Sequence, residues 1–600
     1  MPCTTAEEHS NLDTSRPQKR YLIDILSCFL SYLFRVAIPV LSLIIITLYL
    51  LSHLVIGAPS QGTNAAPHYP LPPNEDSAYC PQTGPIFPLH HAGIDNQLET
   101  LYARSQFQLR VFDILKGIIQ VPTESYDDLL PVGQDPRWEV FDYLHTRLRT
   151  SFPLVYEKLA VTTVNTYALV YHWQGSEPSL KPILLTAHQD VVPVDPSTVD
   201  QWEKPPYSGY YDGTWVWGRG SVDDKADLVT QLITIDSLLK LKFVPTRTVI
   251  LAFGIDEEAS GLEGAGHLAV YLERKYGKDS FAMLVDEGGG YINQPGDNPI
   301  LAFPEISEKG YLDARIEVKV PGGHSSVPPL HTGIGILSSI ITLIEANPHA
   351  PSLPRTSTPF RSALCTATYG HAFSDHLRHV AFQAVKSDSA LEKLRNDLLA
   401  LDPVIKATLS TTQAVDLVWG GVKVNALPEG ATAVVNHRIA EDSSVGALQK
   451  HLTDLITPLA HSFNLSVRAF GSPPSLVAKH AVGEVVLSNA WGRALEPSPI
   501  SPTGESGPWR LLSGTIKATA ESRVQGLGAA VIPNLATGNT DTRFYWNLTR
   551  HIFRYSHRSA DGVYDGIHTI NEAVRGADVI DEIRFFTKLI LNADESLLLD

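Results

Sequence analysis

Three short apolar runs, each followed directly by acids or a histidine, set the rhythm of the chain between residues 180 and 290. Ile183-Leu184-Leu185-Thr186-Ala187 has the length and composition of a buried strand. Thr248 to Ile255 (TVILAFGI) and Phe281 to Val285 (FAMLV) read the same way. Between the first two, Leu228, Leu232, Ile235 and Leu239 recur at helical spacing, which predicts a helix with one buried face. Strands alternating with helices predict an α/β domain, whose ligands sit beyond the carboxyl ends of the strands. From about Tyr311 the rhythm changes. Leu312, Ala314, Ile316, Val318 and Val320 alternate strictly, as in a strand with one solvated face, and this predicts a second, α+β domain. A charged helical stretch (Ser387 to Asp402) and a strand from about Ala431 to Ile439 continue it.

The N-terminus follows another pattern. Val36 to Ile56 is apolar apart from scattered Ser, Thr and His, and is long enough to span a bilayer. Arg16, Lys19, Arg20 and Arg35 precede it, and no Lys or Arg follows until Arg104. That asymmetry predicts a cytosolic tail and a lumenal body. A cleaved signal peptide is the rival, but the run is too long and too far from Met1. Residues 57–97 begin rich in Pro, Gly, Ala and Asn and read as a stalk. The expected order is therefore a tail (1–35), a signal anchor (36–56), a stalk (57–97) and the first part of a catalytic domain (98–306). An inserted domain (307–480) and the rest of the catalytic domain (481–600) complete it.

Composition narrows the function. The chain of 600 residues is 44% hydrophobic and 18% charged, ordinary for a folded protein. Its net charge of -17 argues against nucleic acid, which demands a basic face. The four cysteines show no CxxC spacing, so a metal site here is built from His, Asp and Glu. In a lumen Cys80 and Cys365 would sit where a disulfide persists, and the sequence leaves their pairing open. Asn464-Leu-Ser466 and Asn547-Leu-Thr549 are glycosylation sequons compatible with that compartment.

The chemistry lies where the strands end. His188-Gln-Asp190 closes the first; taken alone, such a pair is more often a surface contact than a metal ligand with its orienting carboxylate. Asp223-Asp224-Lys225 opens the predicted helix, where carboxylates commonly cap. Asp256-Glu257-Glu258 and Asp286-Glu287 follow the other two strands. Adjacent acids repel one another, so their convergence with a histidine at several strand ends is better explained by divalent metal than by capping.

These motifs, HQDVVPV, WGRGSVDDK, DEEASG, LVDEGG and a late GIH, resemble in order and spacing the co-catalytic zinc peptidase family of aminoacylase, carnosinase and vacuolar carboxypeptidase S. The resemblance covers roughly residues 100 to 600 and is nearest to the carboxypeptidase S branch, which shares a single N-terminal anchor and a lumenal body. It implies two Zn2+ per chain, a catalytic domain with a mixed sheet and an inserted lid and dimerisation domain. His188 and Asp286 would hold one zinc, with Glu287 as the alternative to Asp286, and Glu258 and His568 the other. Asp223 would bridge them, Asp190 would orient His188, and Glu257 would be the general base. Gly322-Gly323-His324-Ser325-Ser326 resembles the lid motif, its His324 reaching the oxyanion, in dimeric relatives from the neighbouring subunit. Without the family it reads as a Gly-rich turn. Asn425 and Arg438, thirteen residues apart, match the substrate-binding pair, and Thr540-Asp541-Thr542-Arg543 the late substrate loop. Arg suits a free α-carboxylate because its planar fork bonds both oxygens.

The expected activity is removal of the C-terminal residue from short peptides (Gly-X type by resemblance) in a vacuolar lumen, by a chain compatible with a homodimer. An N-acyl amino acid hydrolase or synthase would share every zinc ligand. A tethered binding protein without chemistry is disfavoured, because the ligands and the base are all in place.

Overall fold

The computed structural model of the protein describes residues 78–296, 298–473, 481–523 and 528–599. The expected tail, the anchor at 36–56 and the stalk up to residue 77 lie outside them. Among the described residues, no helix is long and apolar enough to cross a membrane.

The apolar runs assemble a ten-stranded mixed sheet. Ile183–His188 lies between Val249–Gly254 and Met283–Ile292 and is parallel to both. Ile552–Ser559 continues the parallel set beside Met283–Ile292, while Ala168–Trp173 pairs antiparallel with Val249–Gly254. Every residue of Ile183–His188 and Val249–Gly254 is buried, as expected of strands covered by helices on both faces. The helix Lys225–Lys240 departs from expectation. Residues 225–238 are all buried, not one face, because the long helix Gly576–Glu595 packs over it.

The chain leaves this lobe at the strand Glu305–Glu308 and enters the second at Gly310–Lys319, with Lys309 alone between them. Gly310–Lys319 is the central strand of a five-stranded sheet, and its Leu312, Ala314, Ile316 and Val318 are buried in alternation. Helices Gly333–Glu345 and Val445–Ser462 contribute Ile336, Ile340, Ile344 and Ile456 to the core against this sheet. Thr332 and Ser444 cap the first amides of these helices with their hydroxyls. Strand Gly483–Asn489 belongs to this sheet, so the second domain runs past the boundary expected at 480.

The charged helical stretch is one of four short helices, Thr358–Tyr369, Asp375–Ala384, Asp388–Leu399 and Pro403–Leu409. Each is opened by a Ser or Asp cap, and together they enclose a core of their own. Cys80 and Cys365 form a disulfide (Cα–Cα 5.0 Å) that ties Thr358–Tyr369 to the segment before the first described helix. The expected stalk limit at 97 is too late. Cys80 is buried, the Ile86 amide donates to Gly514 O (2.9 Å), and the helix Ala92–Tyr102 has begun.

Candidate active site

Parallel pairing puts the reactive strand ends on one edge. His188 lies opposite Gly254, so His188 and the Asp256-Glu257-Glu258 turn emerge side by side. The register of Ile183–His188 with Met283–Ile292 stops at Leu185↔Val285, and Asp286 and Glu287 come immediately after. Glu572 builds the third element. Its carboxylate accepts from the amides of Val222 (2.9 Å) and Asp223 (3.3 Å) and from Arg219 Nη1 (2.6 Å), which shapes the loop before the buried helix. Asp224 makes no side-chain cap there; it accepts the His188 amide instead (3.1 Å).

Asp223 stands at the centre. Its Oδ1 is 3.0 Å from His188 Nε2 and its Oδ2 is 2.9 Å from His568 Nε2. His568 Nε2 also lies 3.2 Å from Glu258 Oε1, and His188 Nε2 lies 3.5 Å from Glu287 Oε1. Asp190 sits behind His188, with Nδ1 3.2 Å from its Oδ1 and 3.0 Å from its backbone oxygen. A proton on Nδ1 directed there leaves the Nε2 lone pair facing the cluster. The same carboxylate accepts the amides of Glu257 (3.2 Å) and Glu258 (3.1 Å), so one buried acid fixes three members. Among the described residues, three sets bring ligand atoms within 4.8 Å of one another: His188, Glu257 and Glu258; His188, Asp224 and Glu287; and Asp223, Glu258 and His568.

Asp286 is not among them, which corrects its expected role. Successive side chains of a strand point to opposite faces, so Asp286 and Glu287 do not face the cluster together. Glu287 does; Asp286 turns inward and accepts from Thr186 Oγ1 (2.7 Å).

The electrostatics fit bound positive charge. Burial, and then Glu287, push the Glu257 carboxyl well up. Burial likewise raises Glu258, with Asp223 adding to it, and lifts Glu287 to about 8. His568 rises to about 10 through its hydrogen bonds to Asp223 and then Glu258. Burial opposes charge on His188, but Glu287, Asp190 and Asp223 outweigh it and drive its pKa well up. Only Asp223 moves down, its burial overcome by the two imidazoles. Glu257, Glu258, Glu287 and both imidazoles favour protonation, which marks a pocket short of positive charge. The donors are carboxylate oxygens and imidazole nitrogens, the set that divalent zinc takes.

Beside this cluster a cavity of about 420 Å³ is lined by Glu257, Glu258, His568, Arg438, Asn539 and Arg543, among others. Arg438 lies over the Tyr311 ring (5.2 Å), and its Nη1 donates to Asn539 Oδ1 (2.9 Å). The Asn539 amide in turn donates to Lys309 O (2.6 Å). Asp541 packs against the bare Cα atoms of Gly254 and Gly261, where any Cβ would collide; Gly261 also has φ +68°. Asn539 and Asn436 belong to this cavity and were not singled out from sequence. Asn539 stands one residue before the recognised Thr540–Arg543 loop, so its signal was adjacency alone.

The structure does not bring Asn425 or His324 to this cavity, which corrects the expected Asn425–Arg438 pair. Arg438 pairs with Tyr311 at the start of Gly310–Lys319, whereas Gly430 pairs with Lys319 at its end. Eight residues of strand separate them, about 26 Å. Asn425 lies beyond Gly430, on the hairpin where His324 pairs with Ala426 and where Asn425 O accepts from the Ser325 amide (3.3 Å). His324 is exposed and accepts or shares a proton with Ser326 Oγ (2.7 Å).

Comparison with known proteins agrees with this geometry. The profile of peptidase family M20/M25/M40 matches residues 184–592. An uncharacterized carboxypeptidase of Schizosaccharomyces pombe is 38% identical over 482 residues, 80% of this chain and 78% of its own. Carboxypeptidase S of Saccharomyces cerevisiae is 34% identical over 564 residues, 93% of this chain and 96% of its own. Among solved structures, human carnosine dipeptidase 1 has the same fold, with a TM-score of 0.57 at 14% identity over 84% of this chain and 99% of its own.

Proposed function

Because the chain belongs to peptidase family M20/M25/M40, we propose that it is a two-zinc carboxypeptidase releasing the C-terminal residue of short peptides. The observation that carries this reading is Asp223, whose two oxygens face two separate imidazoles. A carboxylate so placed is suited to bridging two ions. Asp223, His188 and Glu287 would hold one zinc, and Asp223, Glu258 and His568 the other. When bound, such a pair supplies Lewis acidity and lowers the pKa of water held between the ions.

The chain's own groups do the rest. Glu257 lies within the His188 and Glu258 set and raises its proton affinity by burial, as a general base requires. It takes the proton of the attacking water as the water oxygen bonds to the scissile carbonyl carbon. It then gives that proton to the departing amine nitrogen as the C–N bond breaks. Arg438, held on Asn539 and over Tyr311, receives the substrate's terminal carboxylate in the adjoining cavity. Asp190 keeps both His188 and the Glu257 backbone in place.

His324 and Asn425, a strand's length from Arg438, would serve a site on a second copy, so the working form is a homodimer. The exposed Val418, Trp419, Val422 and Val424 on and beside that hairpin support an interface there. The N-terminal reading places the enzyme on a single anchor with its body in the vacuolar lumen, and the Cys80–Cys365 disulfide suits an oxidising compartment.

The test is metal analysis joined to product identification. Purified enzyme should hold two zincs and release the free C-terminal amino acid from an N-blocked dipeptide, with chelation abolishing activity and zinc restoring it. Zinc-loaded enzyme that cuts only from free N-termini would overturn the assignment.

A further inference from the structure

The turn that carries Glu257 is held from both lobes. On the first lobe, Asp190 accepts the amides of Glu257 and Glu258. At the far end of the turn the Ser260 amide donates to Glu257 O (3.0 Å), so the Glu257 backbone is fixed at its N–H and at its C=O. Ser260 has φ +92°, in the left-handed region that glycine enters freely and a residue with a Cβ seldom adopts. Its hydroxyl accepts from Arg493 Nη1 (2.7 Å), a residue of the second lobe. A side chain kept where the backbone favours glycine is accounted for when that side chain is used.

Arg493 belongs to the same part of the second lobe as Arg438. Tyr311 pairs with Arg438 on one side of its strand. On the other side it exchanges two backbone hydrogen bonds with Leu495 (2.8 Å each), and the Ala490 amide donates to Asp313 O (2.9 Å). Residues 490–495 are thus a loop tied to Gly310–Lys319 at both ends, with Arg493 between the ties. Asp127, Asp256 and Glu263 line a cavity of about 210 Å³ together with Arg493. Among the described residues, Arg493 pairs with none of these carboxylates and donates to the neutral Ser260 hydroxyl instead.

A peptide held by its carboxylate on Arg438 offers one carbonyl to the base only if the distance from Arg438 to Glu257 is constant. The Arg493–Ser260 bond joins the loop beside Tyr311 to the turn of Glu257, and so spans that distance apart from the backbone crossing at Lys309. We infer that Arg493 is a positioning residue, which through Ser260 sets Glu257 in register with Arg438. The inference rests on the carboxypeptidase reading, in which Glu257 is the base and Arg438 receives the substrate's carboxylate.

The experiment is a double-mutant cycle of Ser260→Gly and Arg493→Met on zinc-loaded enzyme, measuring kcat and KM for a blocked dipeptide beside zinc content and Tm. Ser260→Gly relieves the left-handed strain and should keep or raise Tm, which separates a lost rate from a lost fold. A hydrogen bond to a charged group corresponds to roughly tenfold or more, and kcat should fall by about that factor in either variant. Both zincs should remain and KM should change little, because the residue acts through the base. The combined variant should lose no more than either alone, since both changes delete one interaction. Arg493→Lys should keep part of the rate beside Ser260 and gain nothing over Arg493→Met beside Ser260→Gly. Hydrogen exchange across residues 256–262 should rise in Arg493→Met and stay unchanged elsewhere in the first lobe. Full kcat in Ser260→Gly would overturn the inference, as would losses that multiply across the cycle. A raised KM with kcat intact in Arg493→Met would overturn it too, by making Arg493 a substrate contact. Parent enzyme that cuts only from free N-termini would overturn the carboxypeptidase reading and this inference with it. That outcome is read in the parent alone, whereas the failures of the inference by itself appear only in the variants.

Discussion

Replacing Arg438 with Ala should abolish the enzyme's ability to tell a free C-terminal carboxylate from an amide. In the structure one edge of the guanidinium is occupied, Nη1 donating to Asn539 Oδ1 at 2.9 Å, and the Tyr311 ring supports its plane. Arg438 lines a cavity that Arg543, the other guanidinium on its wall, shares with Glu257, Glu258 and Asp541, which repel an anion. A charge-assisted contact is worth about 2–3 kcal/mol, which corresponds to a loss of roughly 30- to 150-fold in kcat/KM. Amidating the substrate should cost the parent enzyme the same amount, by removing the other half of the pair. The assay is a double-mutant cycle of parent and Arg438→Ala against free-acid and amide forms of one blocked dipeptide. Because both changes delete a single interaction, the combined loss should be about equal to either one. Arg438→Lys should recover only part, since a point charge cannot reproduce the planar fork. Losses that multiply across the cycle would show that Arg438 does not hold the carboxylate. Equal cleavage of acid and amide by the parent would end the carboxylate-grip account.

Asp223→Ala should lose both zincs by elemental analysis, because one residue serves each ion; retention of two zincs and full rate would exclude the bridge. Glu257→Gln should keep its zinc while kcat falls at least about 10²-fold, with KM little changed. His437 is fully buried, and burial, then His349, lowers its pKa to about 4 against an unfolded value near 6.5. The unfolded chain therefore binds the extra proton first: the His437 contribution is intact above pH 6.5 and is lost as the pH falls toward 4, by at most about 3 kcal/mol. Denaturation midpoints at pH 7, 5.5 and 4 should show this slope, and His437→Leu should flatten it. Reducing the Cys80–Cys365 disulfide, which closes a loop of 285 residues, should destabilise the body by about 2–5 kcal/mol, read as a lower Tm in reductant.

Much of the site was legible because it is local. Asp223 stands at a helix start and the other early motifs at strand ends, and the strands are apolar runs whose parallel pairing brings their carboxyl ends to one edge. His188, Asp223, Glu257 and Glu258 could thus be found without knowing any long-range contact. What pattern could not show was which of two neighbours faces inward. Asp286 and Glu287 are interchangeable in a string, and only the register past Leu185↔Val285 turns Glu287 toward His188. The Asn425–Arg438 spacing misled for a related reason. Thirteen residues are close in sequence, but eight of the intervening positions form extended strand, so the two lie at opposite ends of the sheet. The helical insert was only partly visible, because one of its helices is charged enough to read as a helix while the others lack so strong a signal.

The contacts that join the halves of the site are the least local of all. Glu308, the last residue of the large sheet before the second lobe, accepts from the Thr540 hydroxyl (2.9 Å) and amide (2.9 Å) and pairs with buried Arg554 (2.8 Å). The Thr542 hydroxyl donates to the same carboxylate (3.1 Å). Asn539, one residue earlier, bonds Arg438 of the second lobe and the Lys309 backbone between the lobes. The acid and histidine cluster rests on the first sheet and Arg438 on the second, so their separation is set at this junction. Asn539 and Glu308 are polar residues of ordinary appearance, more than 200 positions apart in the chain. Their importance follows from where the chain crosses between sheets, which no local pattern records.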